Sequence, residues 1–82
     1  METIFDLATP EEIRKVFGYP LNDADYEFNR RCFLESADYN FRRLASLYSI
    51  RGDIQTAESY VARIQDPEYR LDAHFSLHSC TP

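Results

Sequence analysis

His74 and His78 stand four residues apart late in the chain, a spacing that sets two imidazoles on one face of a helix. With Asp72 or Cys80 they could ligate a transition metal, since imidazole, thiolate and carboxylate are common donors. Two good ligands on a terminal helix do not complete a site, and the helix dipole by itself favours histidine near a C-terminus. No metal is expected. Nucleophilic catalysis would need Cys32 or a serine beside a histidine and a third, orienting group. Both histidines lie far along the chain from Cys32, and the two glycines, Gly18 and Gly52, make no glycine-rich loop for a phosphate or an oxyanion. The adjacent Glu11 and Glu12 suit the first turn of a helix better than paired acid–base chemistry. The chain reads as non-enzymatic, with no catalytic residue and no cofactor.

Arg30-Arg31 and Arg42-Arg43 interleave with Phe28, Phe33, Tyr39 and Phe41, a composition that can serve nucleic-acid binding. Nine basic residues against fourteen acidic ones leave a net charge of −5, which opposes general affinity for nucleic acid or anionic lipid. Tyrosine and arginine are also typical anchors of protein interfaces. Another protein is therefore the expected partner, with no direct nucleic acid and no membrane. Eight of the nine cations are arginine, Lys15 being the one lysine; bidentate pairing with carboxylates and codon usage explain this equally.

The elements that must position these residues are helical. Eighty-two residues make one domain that buries only about 60% of its unfolded surface. Six Phe and six Tyr supply core area from few positions, and strand-like alternation is absent. Ile4, Phe5 and Leu7 of a short lead-in are expected to pack onto the body. Thr9-Pro10-Glu11-Glu12 is a capping box with proline at the first helical position. The helix it opens carries Ile13, Val16 and Phe17 on one face and stops at Gly18. Asn22 or Asp23 caps a second helix with Tyr26, Phe33, Leu34 and Ala37 as its buried stripe. That stripe stays in phase through Phe41, Leu44 and Tyr48, so one helix over 24–50 is possible. Ser36-Ala-Asp38-Tyr-Asn40 favours a break. A third helix over about 38–51, a fourth over 54–65 with Ile54, Ala57, Val61 and Ile64 inward, and a fifth over 67–78 with Leu71, Ala73, Phe75 and Leu77 follow. Glu11–Lys15, Glu27–Arg31, Asp38–Arg42 and Asp66–Arg70 are spaced as helical ion pairs. The fold class is all-α, a bundle of about five helices, with 1–37 as N-terminal helices or cap and 38–78 as a hairpin plus terminal helix.

Asp38-x-x-x-Arg42-x-x-Ala45 returns as Asp66-x-x-x-Arg70-x-x-Ala73, 28 residues on. Phe41, Leu44, Ala45 and Tyr48, then Gly52-Asp53, Ala57, Val61 and Pro67, resemble a tetratricopeptide repeat or a looser variant of it. Ile64 stands where that family prefers alanine, and Pro67 comes early. The first 37 residues hold no convincing copy, although Gly18 and Gly52 are 34 residues apart. The resemblance implies an antiparallel helical hairpin whose first helix lines a protein-binding groove. By position the partner-binding residues would be Tyr39, Arg42, Ser46, Ser49 and Ile50. Against this, Arg42 also has Asp38 as a helical ion-pair partner, and Ser46 stands where a carboxylate clamp would carry asparagine.

The expected function is a protein-binding adaptor, chaperone or inhibitor. One alternative is an acidic inhibitor covering the basic surface of a nucleic-acid-binding protein; another is a structural subunit of a homo-oligomer. Two widely spaced cysteines are fewer than small secreted domains carry, and the N-terminus lacks the basic start and apolar run of a signal peptide. No apolar segment approaches the roughly 20 residues needed to cross a bilayer. A cytoplasmic location with free thiols is expected, Cys32 at the core or its edge and Cys80 in a loose tail.

Overall fold

A computed structural model describes residues 2–79 of the chain, with side-chain surroundings through Leu77. It holds six helices: α1 (Ile4–Leu7), α2 (Pro10–Phe17), α3 (Asp23–Glu35), α4 (Ala37–Ile50), α5 (Ile54–Ala62) and α6 (Pro67–Ser79). No strand occurs among the described residues, so the chain is an all-α bundle. None of its helices is long and apolar enough to cross a membrane.

Side chains that satisfy orphan backbone amides set most of the boundaries. Thr9 Oγ1 accepts from the Glu12 amide at 3.2 Å, and Glu12 Oε1 accepts from the Thr9 amide at 2.9 Å. Asn22, not Asp23, caps α3 by accepting from the Asp25 amide at 2.8 Å. The break expected between the second and third helices is present. Ser36 ends α3 in an extended conformation and caps α4 through the Tyr39 amide. Gly18 and Gly52, at φ of +84° and +83°, end α2 and α4 in the left-handed region. After Gly52, Asp53 caps α5 on the Thr56 amide.

α4 is the axle of the bundle. It packs against each of the other five helices, most extensively α5, and the remaining substantial contact joins α5 to α6. One side of α4 presents Leu44 and Leu47 to Ile4 and Phe33. The other presents Ala45 to Ala57, Val61, Ile64, Ala73 and Leu77. Phe41, Tyr48 and Tyr60 touch both clusters, and the Tyr48 and Tyr60 rings stack at 5.6 Å between centroids. Ala57 is fully buried, which fits a small residue where α4 and α5 approach closely.

The lead-in is more than a loop. Phe5 of α1 is wedged between Phe17 of α2 (6.1 Å) and Tyr26 and Phe33 of α3 (4.9 and 5.5 Å).

Several expected faces differ. In α3 the buried stripe runs through Tyr26, Asn29 and Phe33; Leu34 is 81% exposed and Ala37 is also outside. Leu34 is turned about 100° round the helix from Phe33, away from the side of α3 that α4 and Phe5 cover. In α6 Ala73 and Leu77 are buried, but Leu71 and Phe75 are 55% and 64% exposed because no further helix packs beyond α6 among the described residues. α5 ends at Ala62 rather than near 65, its last turn tightened by bonds from the Arg63 and Ile64 amides to Tyr60 and Val61 carbonyls.

Candidate functional site: a basic groove over α4

The five residues singled out from the sequence, Tyr39, Arg42, Ser46, Ser49 and Ile50, all line one groove of about 690 Å³. α4 forms its floor, α2 contributes Lys15 and Val16, and α6 contributes Tyr69, Ala73, Ser76 and Leu77. Arg43 and Ala45 complete it from α4. Positions 39, 42, 46, 49 and 50 come together because steps of three and four keep returning to one helical face.

The cations are held by their surroundings. Arg43 Nε and Nη2 each donate to the Tyr39 hydroxyl at 3.3 Å, and that hydroxyl donates to Asn29 Oδ1 at 2.6 Å. Asn29 in turn donates to the Asp25 carbonyl at 2.8 Å. The Arg43 guanidinium also lies over the Phe17 ring at 4.2 Å, within cation–π range. This chain runs from α3 into the groove and fixes Arg43. Tyr39 is consequently a wall and a strut, its hydroxyl already committed to Asn29 and Arg43.

Arg42 does not pair with Asp38 as its spacing suggested. It reaches Asp72 on α6 at 3.2 Å and covers the Tyr69 ring at 5.2 Å. Asp38 instead accepts from the Gln65 and Asp66 amides at 2.9 and 3.2 Å, capping the turn before α6. Asp66 is likewise drawn to the Glu68 amide at 3.0 Å, while Arg70 donates to the Ile64 carbonyl. Unpaired backbone amides outcompeted the helical ion-pair geometry at both aspartates. The described ion pairs join different helices, Arg42–Asp72 and Arg51–Glu12, and none of the four expected helical pairs is among them.

Sequence reasoning missed Lys15, Val16, Arg43, Ala45, Tyr69, Ala73, Ser76 and Leu77 as groove residues. The 28-residue offset held a small part of the signal: carried forward, it projects the groove residues Ala45 and Ser49 onto Ala73 and Leu77. Lys15 and Val16 belong to no repeat, and nothing local marks them.

Cys32 is a free, half-buried thiol on α3, and α3 shares no substantial contact with α6, which carries His74. Among the described residues no three His, Cys, Asp or Glu side chains converge to hold a metal ion. The His78 side chain and Cys80 lie outside the described residues. A second cavity, of about 430 Å³, lies between Pro10, Glu11, Ile13, Arg14, Pro20, Leu21 and Tyr26, with charges of both signs. Comparison with family models, curated proteins and solved structures found no match to this chain.

Proposed function

We propose that the chain is a non-catalytic adaptor that docks a segment of another protein in the groove over α4. The observation that carries this reading is the convergence of Tyr39, Arg42, Ser46, Ser49 and Ile50, with Lys15 and Arg43, around one concave surface. Aromatic walls and arginines are what protein recognition sites favour. A groove floored by the first helix of a hairpin is also the arrangement that the tetratricopeptide resemblance implies.

A photo-crosslinking residue placed at Ser46 tests the reading beside a control at Leu34 on the far side of α3. Adducts formed at position 46, absent at position 34 and lost when Ser49→Trp fills the groove, are the expected result. Identical adducts at both positions, or adducts indifferent to Ser49→Trp, would overturn it.

A second reading has its own observation. Leu71 and Phe75 are exposed four residues apart on α6, an apolar ridge that a second copy could cover. Sedimentation over a wide concentration range tests it: association abolished by Phe75→Glu supports a homo-oligomer, and an unchanging monomer removes it.

A further inference from the structure

The charge of the groove is opposite to that of the chain. Fourteen acidic residues outnumber nine basic ones, yet three of those nine, Lys15, Arg42 and Arg43, line the groove and no Asp or Glu does. The second cavity shows no such sorting, since Glu11 and Arg14 share its wall. From this segregation we infer that the groove receives a short acidic segment of another protein. Side-chain carboxylates of that segment lie against Lys15, Arg42 and Arg43, and an aliphatic side chain rests on Ile50, the exposed aliphatic residue of the lining. The inference rests on the docking reading above and adds the chemistry of the partner.

Three physical points favour this occupant. Arg43 is pre-positioned by Tyr39 and Phe17, so little side-chain freedom is lost when its guanidinium meets a carboxylate. Arg42 holds Asp72 through one contact at 3.2 Å, and the Asp72 side chain is 68% exposed. Exposed pairs of this kind contribute little, so a ligand carboxylate can join or replace Asp72. The volume, about 690 Å³, lies in the range that encloses a compact ligand, and so suits a few residues rather than a folded domain.

Nucleic acid fits less well. A long polyanion meets the net charge of −5 over its whole length, whereas a short segment meets only what lies within a Debye length of about 8 Å. Ser46 and Ser49 offer hydroxyls rather than an amide clamp, so recognition is directed at side-chain carboxylates and not at a chain terminus.

The probes are three fluorescent peptides with both ends blocked: Glu-Asp-Leu-Glu-Asp, its neutral counterpart Gln-Asn-Leu-Gln-Asn, and Lys-Lys-Leu-Lys-Lys. Binding is followed by anisotropy and by amide chemical-shift mapping on the full chain. The acidic peptide is expected to move the Ser46 and Ser49 resonances and to bind at least about tenfold more tightly than the neutral one. Lys15→Glu, at an exposed position on α2, should weaken it by about tenfold with an unchanged circular dichroism spectrum. Raising ionic strength from about 0.01 to about 0.15 M should weaken it as well. Equal affinity for the neutral peptide, or indifference to Lys15→Glu, would overturn the inference. Preference for the neutral or basic peptide at the same resonances would overturn the inference and leave the docking reading standing. If no peptide moves the groove resonances the inference also falls, and crosslinking at Ser46 judges the docking reading separately.

Discussion

Asn40 is fully buried in the first turn of α4, and fully buried amide side chains are rare. Its Nδ2 donates to the Glu2 carbonyl at 2.9 Å and ties the start of the chain to the axle helix, while Oδ1 has no hydrogen-bond partner among the described atoms. Leucine at this position would strand the Glu2 carbonyl but relieve the unpaired Oδ1, so Asn40→Leu should cost less than Asn40→Asp. Asp removes the donor and buries a charge; its loss should exceed the usual penalty for an unsatisfied buried group, about 1–3 kcal/mol. Urea melts of the two variants check the order. Arginine use also has a residue-scale cause. Arg30, Arg42, Arg43, Arg51 and Arg63 each lie over an aromatic ring, at 4.2–5.7 Å from its centroid. The flat guanidinium stacks on such rings, and lysine does so less well.

At the scale of elements, the turn at Gly52 separates backbone strain from steric clash. A Cβ built there meets nothing within 4 Å, yet φ is +83°. Gly52→Ala should therefore cost about 1–2 kcal/mol through the left-handed backbone alone, and Gly52→Asn distinctly less. Equal losses would mean that space, not conformation, matters at the turn. Ala57 argues the converse case. It is fully buried against α4, so Ala57→Leu should lose about 1–3 kcal/mol by overpacking, read as a lower midpoint at an unchanged denaturant slope. Helix limits were the legible part of this fold, because Thr9, Gly18, Gly52-Asp53 and Asp66-Pro67 act locally. Faces were less legible. Periodicity marks apolar positions without saying how many sides of a helix are covered: α4 is covered on two, α3 and α6 on one. Hence Leu47 is core although no expected stripe includes it, and Leu34, Leu71 and Phe75 are exposed although their stripes do. The groove positions on α4 followed from helical spacing, whereas Lys15 and the Arg42–Asp72 pairing depend on how distant helices meet.

At the scale of the whole molecule, Arg51 clasps the junction between α1 and α2. It reaches Glu12 through two hydrogen bonds, at 2.7 and 3.0 Å, and the Leu7 carbonyl at 2.8 Å. The fork to Arg51, helped by the Thr9 amide, lowers the Glu12 carboxyl from 4.5 to about 2. A depressed carboxyl stabilises the fold above its unfolded value and loses that contribution as pH falls through the folded one. Stability should accordingly drop between about pH 4.5 and 2, and Glu12→Gln should flatten the fall without removing it. Asp53, lowered by the Thr56 hydroxyl and amide, keeps a share in the same direction. Thermal melts across that window measure both. The axle arrangement also bears on assembly order. α4 and α5 are joined by the three residues Arg51, Gly52 and Asp53, while the segment around α1 meets α4 and its C-cap through bonds such as Asn40 to Glu2 and Arg51 to Leu7, 38 and 44 residues apart. Local contacts close with less entropy lost than distant ones. The hairpin should nucleate folding and α1 dock last, so native-state hydrogen exchange should find α1 opening first while α4 amides exchange only with global unfolding. Every spoke shares one hub, so damage to α4 reaches the entire molecule, whereas the outer helices can loosen one at a time.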